Sequence, residues 1–148
     1  WTSQGGDRTI ASYAGGPMPK PHIDFLRSAK PWIERDGRLF VHGGFDPAVP
    51  IAEQDAEFLS WDRSLLEKSW RDDAIGKKCR FGTYRDIFIG HTPTQVYGMA
   101  TPIHACNVWA IDTGAGWAGK LTIMDVETKE FWQSDPSFEL YPGVAGRT

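Results

Sequence analysis

Residues 39–45 read Leu39-Phe40-Val41-His42-Gly43-Gly44-Phe45. Three apolar residues run into an imidazole, and two glycines then remove the neighbouring side chains. An apolar run this short, with β-branched and aromatic members, is a strand signal rather than a helix signal. Just upstream, Trp32-Ile33-Glu34-Arg35 is followed by Asp36-Gly37 and then Arg38. An Asp-Gly pair between two strand-like runs predicts a tight hairpin, because glycine takes positive φ at no steric cost. Residues 38–41 are therefore the second strand of that hairpin, and His42 stands where it ends.

The design recurs at Asp86-Ile87-Phe88-Ile89-Gly90-His91. Where helices cover a sheet, ligands gather in the crevice beyond the carboxyl ends of the strands. Two histidines at such ends, each with glycine close by, predict a site with easy approach to bare backbone. Neutral imidazole is the commonest protein metal ligand, and an unperturbed pKa of about 6.5 leaves it free to coordinate near neutrality. For either ring alone, the competing reading is a half-exposed side chain with one backbone hydrogen bond.

Elsewhere the patterning alternates. The glycine- and proline-rich opening, residues 1–21, reads as irregular. Pro21 suits the first turn of a short helix carrying Ile23 and Leu26 on one face, and His22 reads as surface. Residues 52–70 read as helical with a break near Trp61. Residues 107–112, 120–126 and 130–134 read as three neighbouring strands, the last two a hairpin turning near Thr128-Lys129. Trp109 and Trp132 fall in these strand patterns and read as core. Trp117, in the glycine-rich loop 114–119, is a candidate cover for the site. The segment after Ser134 reads as extended. No solenoid repeat or domain linker is evident.

The chain has 148 residues, enough for one domain with a substantial core. Seven tryptophans and eight phenylalanines promise a core rich in flat rings. Net charge is −3, and no Lys/Arg block gives the footprint of a nucleic-acid binder. No apolar run is long enough to span a bilayer. Two cysteines, Cys79 and Cys106, form no C-x-x-C pair and are expected as free thiols in a reducing, cytoplasmic setting.

Taken in order, LFVHGGFDP (42 its histidine), Phe58-Leu59-Ser60-Trp61-Asp62-Arg63 and IFIGHTPT (91 its histidine) resemble the later motifs of the calcineurin-like metallophosphoesterases. The pattern is most similar to the bacterial and phage serine/threonine phosphatases and the symmetrical diadenosine tetraphosphatases. Residues 107–135 resemble the strands that close those enzymes, so the likeness runs from about Pro19 to Asp135. It implies an α/β fold: the C-terminal half of an α/β/β/α sandwich, a mixed sheet with hairpins and flanking helices. It implies His42 and His91 as imidazole ligands to one of two divalent ions, with Mn expected and Fe, Zn or Ni as alternatives. It implies Arg63 as the holder of substrate phosphate, through a planar fork of donors matched to phosphate oxygens. Without the resemblance, Arg63 reads as a solvated helix-surface charge. Asp112 is expected to support the loop around the site. The substrate implied is a phosphoprotein or a small phosphoester.

The family's earlier motifs, GDxHG, GDxxDRG and GNH(D/E), carry the remaining ligands, the bridging aspartate and the acid histidine, and none occurs here. Gly5-Gly6-Asp7-Arg8 is only an echo, with no strand before it. The chain, which opens on Trp1, is therefore read as a half that starts after the third motif, inactive by itself. A companion segment or an oligomer is expected to cover its apolar sheet edges. Two rivals remain. Asp112-Thr113-Gly114-Ala115 spells the turn of retroviral-type aspartic proteases, although too little chain follows for their flap. A non-catalytic zinc- or phosphate-binding module would recruit His104 and Cys106, which otherwise read as strand packing.

Overall fold

A computed structural model describes Thr2 and residues 5–143 of the chain. Two compact units are distinguished, one built on Trp1–Lys30 and the other on Pro31–Gly146. In the first, α1 (Gly6–Ser12) and α2 (Lys20–Arg27) are short helices. Pro21 occupies the first turn of α2 as expected, where its missing N–H costs nothing. The Tyr13 hydroxyl lies 2.8 Å from His22 Nδ1, so His22 is exposed but not unpartnered. The expectation of an irregular opening fails at α1, where Asp7 in the first turn favours helix through its charge.

The second unit is mixed α/β. Its principal sheet has five strands: β1 (Trp32–Arg35), β2 (Arg38–Val41), β3 (Asp86–Ile89), β4 (Ile103–Ala105) and β5 (Val108–Ala110), in the order β1-β2-β3-β5-β4. The centre, β2-β3-β5, is parallel, while β1 and β4 close the two sides antiparallel. The β1–β2 hairpin turns at Asp36 and Gly37 with φ of 50° and 73°, as the Asp-Gly pair predicts. Between β2 and β3 the chain crosses through α3 (Ala56–Trp61) and α4 (Ser64–Ala74), the connection a parallel pair requires. Asp55 caps α3 by accepting from the N–H groups of Glu57 and Phe58.

Strand alternation sorts the side chains onto two faces. Leu39, Val41, Ile87, Ile89, Val108 and Ala110 form the buried face, in one core with Leu59, Leu65 and Leu66 of the helices. The other face carries a row in strict register, Ile33-Phe40-Phe88-Trp109-His104. Phe40 and Phe88 stack at 5.0 Å, and His104 stacks on Trp109 at 4.0 Å. The Lys129 ammonium lies over Phe88 and Trp109 and reaches Asp86 at 2.8 Å. Buried Arg38 is paired with Asp86 and Glu127 at 3.4 and 2.5 Å, charge contacts that offset its desolvation.

Three expectations need correction. Of the strands after residue 107, β6 (Thr122–Met124) and β7 (Phe131–Gln133) pair as the expected hairpin but form a separate two-stranded sheet, whereas β5 enters the principal sheet. The loop 114–119 turns the chain between them, with Gly114 bridging Lys120. Trp132 is 59% exposed, paired opposite equally exposed Ile123, and is not core. The stretch after Ser134 includes a helical turn, α5 (Ser137–Leu140), entered through Pro136.

The cysteines are also not free. Cys79 and Cys106 form a disulfide with Cα atoms 5.3 Å apart, joining the segment after α4 to the β4–β5 turn. That removes the premise for a reducing compartment, since disulfides persist in oxidising ones. No helix among the described residues is long and apolar enough to cross a membrane.

Candidate functional site

The carboxyl ends of the three parallel strands converge on one place. β2 runs out into His42, β3 into Gly90-His91, and β5 into Ile111-Asp112. Backbone bonds extend the sheet just past the strands, with Gly90 N–H donating to His42 O at 2.8 Å and Ile111 N–H to Ile89 O at 2.9 Å. The rings of His42 and His91 face each other edge to plane, 5.2 Å between centroids. A cation bound by imidazoles sits about 2.0–2.1 Å from each nitrogen. Ring centroids at this separation are close enough for both imidazoles to reach one cation.

The glycines have a steric task. A Cβ at Gly43 would meet backbone atoms of Asp62 and Ser60 at 2.9 Å, and one at Gly44 would run into the Asp62 carboxylate and Leu65. Gly43 N–H also donates to Leu59 O at 2.8 Å. The α3–α4 junction thus lies directly on the glycine pair, which is how residues 60–63 come beside His42. Asp62 fixes the junction further, its carboxylate accepting from Ser64 N–H, Ser64 Oγ and Leu65 N–H. Gly90 is open by comparison: a Cβ there would stand 3.6 Å or more from His42 and Asp112.

His91 is the most constrained member. Its φ is 65°, a left-handed conformation uncommon for a non-glycine residue and often found where function demands it. Its Nε2 is buried without a hydrogen-bond partner, as is the Oγ1 of neighbouring Thr92. Burial holds the His91 pKa below the ordinary histidine value, the positive charges of Arg63 and His42 lower it further, and Asp112 opposes them. Arg63, His42 and Asp112 are therefore all within electrostatic reach of this ring.

A neutral imidazole with an unsatisfied buried nitrogen is in the state that coordination requires. The donor set suits one divalent ion held by His42 and His91. It does not by itself suit a bridged pair, because no group of three His, Cys, Asp or Glu among the described residues is placed to hold a metal ion. Asp112 Oδ1 accepts from Gly114 N–H at 2.9 Å and its carbonyl from Thr94 N–H at 2.8 Å, so this residue organises the loops around the site.

The other candidates fall elsewhere. Cys106 cannot serve as a zinc thiolate while joined to Cys79, so His104, stacked on Trp109, lacks the thiolate partner that reading needs. Trp117 is 44% exposed in its loop, its N–H on Gly114 O and its carbonyl accepting from Ser137 Oγ. An aromatic ring in contact with the site is Trp61, edge-on to His91 at 5.1 Å and 47% exposed. Its place next to Arg63 in the Trp-x-Arg sequence was the available signal for it. Gln95, also not anticipated, ties the loop after β3 to Thr113 O at 2.5 Å.

No family model matches this chain, and no curated protein matches it.

Proposed function

We propose that the chain is the carboxyl-terminal half of a calcineurin-like metallophosphoesterase, a phosphoric ester hydrolase of the serine/threonine phosphatase or symmetrical diadenosine tetraphosphatase kind. The observation that carries this is the meeting of His42 and His91, from adjacent parallel strands, with Arg63 in electrostatic reach. His42 and His91 would hold one of two divalent ions, Mn or else Fe, Zn or Ni, which imidazole-rich sites accept according to availability. When bound, such a pair polarises the phosphoryl group and activates water for in-line attack.

The chain's own residues do the rest. Arg63 offers the phosphate a planar fork of donors and offsets its charge. Gly43 and Gly44 admit the junction that carries Arg63 to the strand ends. Trp61 shields one side of His91 from water. Asp112 holds the loops from β3 and β5 together. Remaining ligands, the bridging carboxylate and the leaving-group acid would come from outside these residues, on a companion segment. That partner would also cover Leu121, Ile123 and Trp132, which are exposed.

The chain alone is expected not to hydrolyse p-nitrophenyl phosphate with Mn²⁺ present. Turnover by the isolated chain, abolished by His42→Ala, would contradict its description as half a site. A parent reading frame carrying GDxHG, GDxxDRG and GNH(D/E) upstream is the expected genetic counterpart. A parent frame without them would leave binding but not catalysis.

A further inference from the structure

Two adjoining hollows of about 370 and 250 Å³ open along the outer side of α4. They share Asp46, Pro47, Lys68 and Phe81, and so form one trough. One end begins at Ser64, the residue after Arg63, and the other lies among Lys77, Lys78 and Arg80. The near end has an apolar floor of Phe45, Phe58 and Leu65. The far end is cationic.

The walls are held in place. Phe81 is clamped by Asn107, which accepts from its N–H at 2.8 Å and donates to its carbonyl at 3.0 Å. Next to it, the disulfide anchors Cys79. Phe45 packs edge-on against Tyr84 at 5.8 Å. The Lys68 ammonium stands 5.6 Å above the Phe81 ring, and Lys77 is committed to Asp72 at 2.9 Å. Lys68 and Lys78 make no salt bridge among the described residues, although Lys68 lies within electrostatic reach of Asp72.

From this charge complementarity we infer that the trough docks an acidic polypeptide segment with an apolar side chain, the flank of a phosphoprotein substrate. The inference rests on the phosphatase reading for the word substrate, but not for the binding itself. Apolar floor and cationic end together suit a peptide that presents a ring or aliphatic group beside carboxylates. A nucleic-acid backbone offers no apolar side chain for the floor of Phe45, Phe58 and Leu65.

The test uses the whole chain in EDTA and a short fluorescein-labelled peptide of glutamates around one phenylalanine, unphosphorylated, followed by anisotropy. Binding is expected and should weaken with salt. Lys68→Glu with Lys78→Glu should weaken it roughly tenfold or more, while Lys120→Glu should not. Lys78→Glu alone, on an exposed side chain, and a peptide with alanine for phenylalanine should each weaken it several-fold without disturbing the core. Equal affinity for a lysine-rich peptide, no change in the double variant, or tighter binding of oligothymidylate would overturn the inference. Because no metal or phosphate is present, a negative result leaves the His42–His91 site to its own test, and failure of that site leaves this one standing.

Discussion

His91 combines a left-handed backbone, a buried unpartnered nitrogen and a lowered pKa. An alanine there keeps the Cβ strain, whereas a glycine relieves it, reversing the usual order of the two. His91→Gly should accordingly be more stable than His91→Ala by about 1 kcal/mol in urea unfolding. The titration has a definite sign. Because the native pKa lies below the unfolded value of about 6.5, the unfolded chain takes up this proton first as pH falls. Metal-free protein should hold this contribution above about pH 6.5 and lose it as pH drops from there through the lowered native value. His91→Gln should flatten that part of a series of urea midpoints against pH. The two histidines were legible because a strand, a ring and a glycine form a local pattern. Trp61 was not read as part of the site, because its contact with His91 depends on a crossover that folds residues 42, 61 and 91 together. The cysteine pair was missed for the same reason: a separation of 27 residues carries no spacing signal until the β4–β5 turn is placed against the segment after α4.

Among the elements, the α3–α4 junction and the β2 end depend on each other. Gly43→Ala would press a methyl group into the backbone of Asp62 and Ser60, which cannot yield as a flexible side chain could. A loss of about 2–3 kcal/mol is expected, measured by denaturant unfolding, with Arg63 displaced from the histidines. The disulfide closes a different loop, from the end of α4 to the β4–β5 turn. Cys79→Ser with Cys106→Ser should lower stability by about 3 kcal/mol, as loop closure of this length suggests, with the urea midpoint as the readout. Most elements could be read from the sequence, since the Asp-Gly turn, the apolar runs and the break near Trp61 are local signals. The partnership of β5 could not. Val108 and Ala110 are fully buried between β3 and β4, and their short apolar pattern is equally compatible with pairing to β6.

At the scale of the molecule, three parallel strands deliver His42, His91 and Asp112 to one edge, and antiparallel strands close the sheet on both sides. The opposite face is a row of rings crossed by Lys129, while Leu121, Ile123 and Trp132 of the smaller sheet stay exposed. A sheet with that much uncovered apolar surface is expected to associate, so sedimentation should show self-association. The central claim is that two imidazoles grip a common cation. Titration of the metal-free protein with Zn²⁺, followed through the ring nitrogens by ¹⁵N NMR, tests it most directly. One nitrogen of His42 and one of His91 should shift together along a single isotherm, with the stacked His104 unmoved. Independent shifts of the two rings, or stronger binding at His104 than at either, would contradict it.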